Sequence, residues 1–125
     1  MGDRVIEKVN LTEKFGQFAD HWSPKVAGAI NDSEVKLVKL LGEFVWHHHE
    51  HEDEMFLVIK GHLTIRLQGQ PDVELDPGEF VIIPKGLEHM PVAEAEVEAL
   101  LLEPKGTLNT GNVVNERTVA DLDRI

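Results

Sequence analysis

The feature that most limits the fold of this chain is the spacing of its turns. Asn31-Asp32-Ser33, Lys60-Gly61, Gly69-Gln70-Pro71-Asp72, Asp76-Pro77-Gly78 and Pro84-Lys85-Gly86 punctuate the sequence. Glycine, proline and asparagine there supply the dihedral angles that reverse a backbone. Between them lie short apolar or alternating runs: Lys25 to Ile30, Glu34 to Leu41, Met55 to Ile59, His62 to Leu67, Val73 to Leu75, Glu79 to Ile83 and Val92 to Leu102. Short strands with turns every 8–12 residues or so predict an all-β chain, an antiparallel sandwich or barrel.

Finer expectations follow from local pattern. Val5 to Leu11 reads as an edge strand, and Leu11, Phe15 and Phe18 fall at helical spacing, with Trp22-Ser23-Pro24 as a breaker. Met55 to Ile59 is apolar at every position, which predicts a strand covered on both faces. Lys60-Gly61 predicts a two-residue hairpin pairing Val58 with Leu63 and Phe56 with Ile65. Glu54, Phe56, Val58, Leu63, Ile65 and Leu67 then share one face, and Met55, Leu57, Ile59, His62, Thr64 and Arg66 the other. Lys105 to Asn115 reads as irregular, with the tail packing on the barrel or fraying.

At 125 residues the chain is one domain with room for one core, about residues 34–103, flanked by extensions that pack on it. The net charge of -11 argues against nucleic acid and anionic membranes as partners, and weakly against phosphorylated substrates. No apolar run is long enough to span a membrane, and the start, MGDRVIEKVN, has neither a leader's apolar core nor a convincing myristoylation pattern. Cysteine is absent, which rules out disulfides, thiolate metal sites and a cysteine nucleophile and fits a cytoplasmic setting.

The chemistry concentrates in Gly42 to Gly61, where His47, His48, His49 and His51 fall within five positions and Glu52-Asp53-Glu54 follows. Neutral imidazole with carboxylate is a ligand set for a divalent transition metal. His47 and His49, two apart, face the same way on a strand. Glu54 is five beyond His49, so a bend over Glu50 to Asp53 must return its carboxylate to that face. A second stretch, GEFVIIPKGLEH from Gly78, turns at Pro84-Lys85-Gly86 and brings His89 back as the natural fourth ligand. His48 points to the opposite face, and His51 belongs to the rim. His62 and His21 are solvated or structural. Phe44 and Trp46 lie opposite His47, in a second apolar layer or a subunit contact.

These two stretches resemble the paired motifs of the cupin superfamily. His47-x-His49-x4-Glu54-x6-Gly61 follows the first, and Gly78-x5-Pro84-x-Gly86-x2-His89 the second, about 16 residues on. Gly42 stands one residue closer to His47 than the pattern asks, and Ala93 replaces its final asparagine. The resemblance covers roughly Glu34 to Glu103. It implies a double-stranded β-helix, or jelly-roll barrel, and metal ligation by His47, His49, Glu54 and His89. One divalent metal is implied, among Mn, Fe, Ni, Co, Zn and Cu, with open positions for water or substrate.

The predicted inner face is apolar (Val45, Phe56, Val58, Leu63, Ile65, Leu67) with no inward cation pair, no Ser-His-Asp arrangement and no phosphate-cradling loop. The leading expectation is an enzyme that uses the metal as Lewis acid, or to activate dioxygen, on a small molecule. A sugar-phosphate isomerase is the first alternative, since small cupins resemble the metal domain of mannose-6-phosphate isomerases. A non-catalytic metal or small-ligand binding module is the second. The outer row Met55, Leu57 and Ile59 predicts a homodimer.

Overall fold

A computed structural model describes residues 5–125; the start of the chain, and with it the myristoylation reading at Met1-Gly2, lies outside the described residues. The described residues fold into one helical turn, α1 (Leu11–Phe15), and seven strands. The strands are β1 (Lys25–Ile30), β2 (Ser33–Glu43), β3 (Glu54–Lys60), β4 (Leu63–Leu67), β5 (Gln70–Leu75), β6 (Phe80–Ile83) and β7 (His89–Pro104). All pairings are antiparallel, in the order β1-β2-β7-β3-β6, with β4 joining β7 to β5. The fold is all-β, as the turn spacing predicts, and the sheet does not close on itself.

The sixteen-residue β7 organises the rest. One edge pairs with β2 from Ser33↔Pro104 to Glu43↔Val92. The other takes β3 against Glu98 to Leu102 and then β4 against His89 to Val92. The expected hairpin at Lys60-Gly61 therefore does not form. β3 and β4 run on in the same direction along β7, broken by a bulge after Val58 and by Gly61. A Cβ on Gly61, at φ +91, would lie 2.8 Å from the Glu96 carbonyl, so only glycine lets the chain pass this close to β7. The bulge shifts side-chain parity just as a hairpin would. Glu54, Phe56, Val58, Leu63 and Ile65 accordingly share the buried face although their pairing differs from expectation.

Other expectations shift for local reasons. Val5 to Asn10 forms no strand, and Leu11 opens α1, whose first N–H groups are capped by the Asn10 side chain at 3.0 Å from the Glu13 N–H. The turn placed at Gly69 to Asp72 tightens to Gln68-Gly69, and Pro71 enters β5. β5 pairs only with β4, so Pro71 costs no ladder bond. The outer face of β3 is not covered. Met55, Leu57 and Ile59 are half-buried, and Phe80 and Ile82, paired beside Leu57 and Met55, are 59% and 56% exposed.

Inside, Val38, Leu40, Phe56, Val58, Leu63, Ile65, Leu75, Ile83, Val97 and Leu101 form one contiguous core. Each such side chain contributes roughly 1.5–3 kcal/mol on burial. Trp22 joins this core from before β1. The tail does not fray: Val26 donates to the Asp123 carbonyl at 2.8 Å and Ile125 to the Val26 carbonyl at 3.0 Å. No helix among the described residues is long and apolar enough to cross a membrane.

Candidate metal centre

The four residues picked out by the two motifs converge. His47 follows β2 and forms a two-way bridge with His89, the first residue of β7: His47 N–H donates to the His89 carbonyl at 3.1 Å, and His89 N–H to that of His47 at 2.9 Å. His49 sits two residues on, held by the Gly86 N–H at 2.8 Å from its carbonyl. The chain then bends through Glu50 to Asp53, and Asp53 accepts from the Lys85 N–H at 2.9 Å, tying the bend to the Pro84-Lys85-Gly86 turn. Glu54 opens β3 on the inner face, the return that strand parity demanded.

One ligand atom from each of His47, His49, Glu54 and His89 lies within 4.8 Å of the others, and all four residues are buried. Glu54 Oε1 stands 3.3 Å from His49 Nε2 and 3.5 Å from His89 Nε2. The Nδ1 atoms of His47 and His89 each meet a carbonyl two residues back, Val45 and Leu87, at 2.9 Å. A carbonyl only accepts, so Nδ1 carries the proton and the Nε2 lone pair faces inward. His49 Nε2, His89 Nε2 and Glu54 Oε1 are buried with no hydrogen-bond partner. Orphaned polar atoms of this kind are costly unless something fills the space between them. Three imidazoles and a carboxylate aimed at one point fit a divalent metal.

The charge states agree. Burial, and then the neighbouring His89, push the His47 pKa down to about 4, so the ring is neutral as a ligand must be. Burial alone would raise the Glu54 carboxyl, but the polar side chains of Glu103, His49 and His89 beside it outweigh burial and hold Glu54 well below the usual range. Glu103 moves the other way, far above that range, through burial and then the charge of Glu54. The pair thus carries one proton, held on Glu103 beside ionised Glu54.

Glu103 and Lys36 lie behind Glu54 and are not singled out by the sequence reading. Lys36 Nζ donates to Glu103 Oε1 at 2.8 Å and to the Thr107 carbonyl at 3.3 Å, with both side chains almost fully buried. Glu34 and Lys36, which alternate in sequence with Val35 and Leu37, are themselves buried. The C-terminal segment adds a second support. Asn112 grips His48 at both backbone groups, its N–H 3.0 Å from the His48 carbonyl and its Oδ1 2.9 Å from the His48 N–H. A Cβ on Gly111, at φ +57, would collide with that carbonyl and with the His47 ring.

The remaining histidines stay away from the cluster. His48 faces outward between Glu50 (2.7 Å) and Glu88 (3.2 Å), and His51 is exposed on the rim. His21 meets Glu96, and His62 meets Glu74 and Asp76. Phe44 corrects its expected placement. It stands edge-on to the His47 ring at 5.5 Å and lines the pocket. β2 ends at Glu43 after a bulge near Gly42, so strand alternation does not carry through to Phe44. Trp46 does face outward, 46% exposed.

The pocket beside the cluster has apolar walls: Val38, Leu40, Phe56, Pro91 and Leu101 from the sheet, with Trp22, Pro24, Phe44 and Asn109 from flanking segments. No lysine or arginine lines it.

Residues 37–103 match the family described as the cupin domain. Among solved structures, a cupin-2 domain containing protein from Shewanella frigidimarina superposes with a TM-score of 0.75 at 45% identity, over 78% of this chain and 94% of that one. Among curated proteins, the uncharacterized protein YdbB of Bacillus subtilis is 34% identical over 76 residues, 61% of this chain and 67% of its own. The acireductone dioxygenase of Bacillus subtilis is 35% identical over 65 residues, 49% of this chain; the match spans only 36% of that enzyme.

Proposed function

The chain belongs to the cupin domain family, and from that premise we propose that it is a divalent-metal-dependent enzyme of dioxygenase type acting on a small organic molecule. The observation that carries the reading is the set of buried, unpartnered donor atoms of His49, Glu54 and His89 beside His47, opening on an apolar pocket. The partial similarity to acireductone dioxygenases supports the same chemistry. Bound there, a divalent metal supplies Lewis acidity and, if redox-active, dioxygen activation. The chain's own contribution is to keep His47 neutral, fix the Nε2 atoms inward through Val45 and Leu87, hold Glu54 ionised through Glu103, and exclude bulk water with apolar walls.

Sugar-phosphate isomerisation ranks below this. It needs a cationic clamp for phosphate, and the pocket offers none. The exposed apolar row of Phe80 and Ile82 beside Met55 and Leu57 supports a second copy of the chain as partner, and light scattering tests that dimer.

The test of function has two stages. Elemental analysis of untagged protein is expected to give about one metal per chain. Oxygen uptake by the Fe(II)-loaded protein is then measured against diols and diketones, with chelator-stripped protein as control. Iron-dependent uptake supports the reading. Bound metal without turnover of any member of the panel favours a binding module, and isomerisation of sugar phosphates overturns the ranking.

A further inference from the structure

Trp22 occupies an unusual position. It lies outside the stretch that matches the family, yet its indole forms a wall of the metal pocket beside His47 and Glu54. Its backbone is in the left-handed region at φ 59, which a bulky side chain adopts only when its surroundings force it. The Trp22 N–H donates to the Lys39 carbonyl at 2.9 Å and the indole Nε1 to that of Leu41 at 2.8 Å, both on β2. Asn109 Nδ2 donates to the Trp22 carbonyl at 3.3 Å and to that of Arg117 at 2.8 Å. The indole stacks on Phe44 with centroids 4.6 Å apart and planes 13° apart. The Arg117 guanidinium caps both rings at 5.8 Å and is anchored on the Glu43 carbonyl. With the indole so held, the pocket keeps only about 30 Å³, the room of about one or two water molecules.

We propose that Trp22 is the specificity-determining residue of the metal pocket. With its indole in place the metal accepts ligands of two or three heavy atoms, and a larger organic molecule binds only at the cost of displacing the Trp22–Phe44–Arg117 stack. The inference rests on the metal reading of the site. It also defines the substrate: a compact molecule whose chelating end is small enough to reach past, or strong enough to move, one indole.

The experiment uses full-length Co(II)-loaded protein and reads ligand binding in the visible absorption of the cobalt, so no turnover is needed. Cyanide, with two heavy atoms, is compared with catechol, with eight. Trp22→Gly removes the wall and relieves the backbone. Trp22→Leu keeps an apolar lining and is the second variant should the glycine form fail to fold, as judged by circular dichroism. The expected result is catechol affinity at least tenfold higher in either variant, with cyanide affinity unchanged within threefold. Catechol affinity equal to wild type, or lower, overturns the proposal. It would place ligand approach elsewhere, for instance in the depression of about 410 Å³ that reaches Glu54 between His51, Lys85 and Met55. Cyanide binding in all forms with catechol binding in none overturns it too, since something other than Trp22 would then close the site. Absence of any cobalt signal is a separate outcome and sinks the metal reading itself.

Discussion

Two groups of histidine and carboxylate on this molecule behave in opposite ways. In one, His47, His49 and His89 converge on Glu54 in a buried pocket, and several ring nitrogens have no partner. In the other, His62 lies exposed between Asp76 at 2.8 Å and Glu74 at 2.7 Å. Hydrogen bonds to Asp76 and Glu74 raise the His62 pKa, whereas burial lowers that of His47. The residue types are the same. What differs is that both nitrogens of His62 are already taken, on opposite sides of the ring, while His47 and His89 spend only Nδ1 on a carbonyl and His49 spends neither nitrogen. A metal site is made by desolvation and unspent lone pairs, and the density of ligand-type residues is a poor guide to it.

The contrast breaks most visibly behind Glu54. Glu103→Leu leaves the Lys36 charge buried without its acceptor, and is expected to cost about 3–5 kcal/mol in chemical denaturation. Glu103→Gln mimics the protonated acid, uncharged beside Glu54 and still accepting from Lys36, and should stay within about 1 kcal/mol of wild type. If both variants lose stability equally, the single shared proton is wrong.

Acid sharpens the same contrast. With His47 at about 4 when folded and about 6.5 when unfolded, the unfolded chain takes up its proton first. Metal-free protein therefore loses stability as pH falls from about 6.5 to 4, by roughly 3 kcal/mol at 1.36 kcal/mol per unit. Denaturant midpoints across that window measure it, and a flat profile would contradict a neutral, buried His47. Next comes ligand removal. His49→Ala should weaken metal binding at least about a hundredfold, at or beyond the limit seen for outer-shell partners, while His48→Ala should change it less than about threefold. Metal titration showing the reverse would invert the register of the whole His47 to Glu54 segment.

Much of this was legible beforehand, for identifiable reasons. Turn residues marked the strands because glycine and proline act locally. The grouping of His47, His49, Glu54 and His89 followed from strand parity and two motif spacings, both short-range properties. Legibility failed where distant segments meet. Nothing near Trp22 says that its indole reaches the pocket, because Asn109 and Arg117 hold it there from the other end of the chain. Neither Glu103 nor Lys36 carries a local sign of its place, because only the pairing of β2 with β7 brings them together beneath Glu54. The hairpin at Lys60-Gly61 was a local inference that lost to a long-range one, since β7 pairs with both β3 and β4 and leaves them no need of each other.

The smallest expected effect tests the exposed half of the comparison. His62 gains its partners in the folded state, so its pKa is raised. Its stabilisation is present below the unfolded pKa and lost as pH rises through the folded one, the opposite sense to His47. Exposed pairs contribute little, so His62→Ala should leave the melting temperature within about 2 °C of wild type. Any loss should appear at acidic pH and vanish toward alkaline pH, with metal content unchanged. Differential scanning calorimetry at both pH extremes, alongside elemental analysis, measures this. A fall in metal content on His62→Ala would mean that the outer group does communicate with the buried one, and the distinction between spent and unspent lone pairs would have to be redrawn.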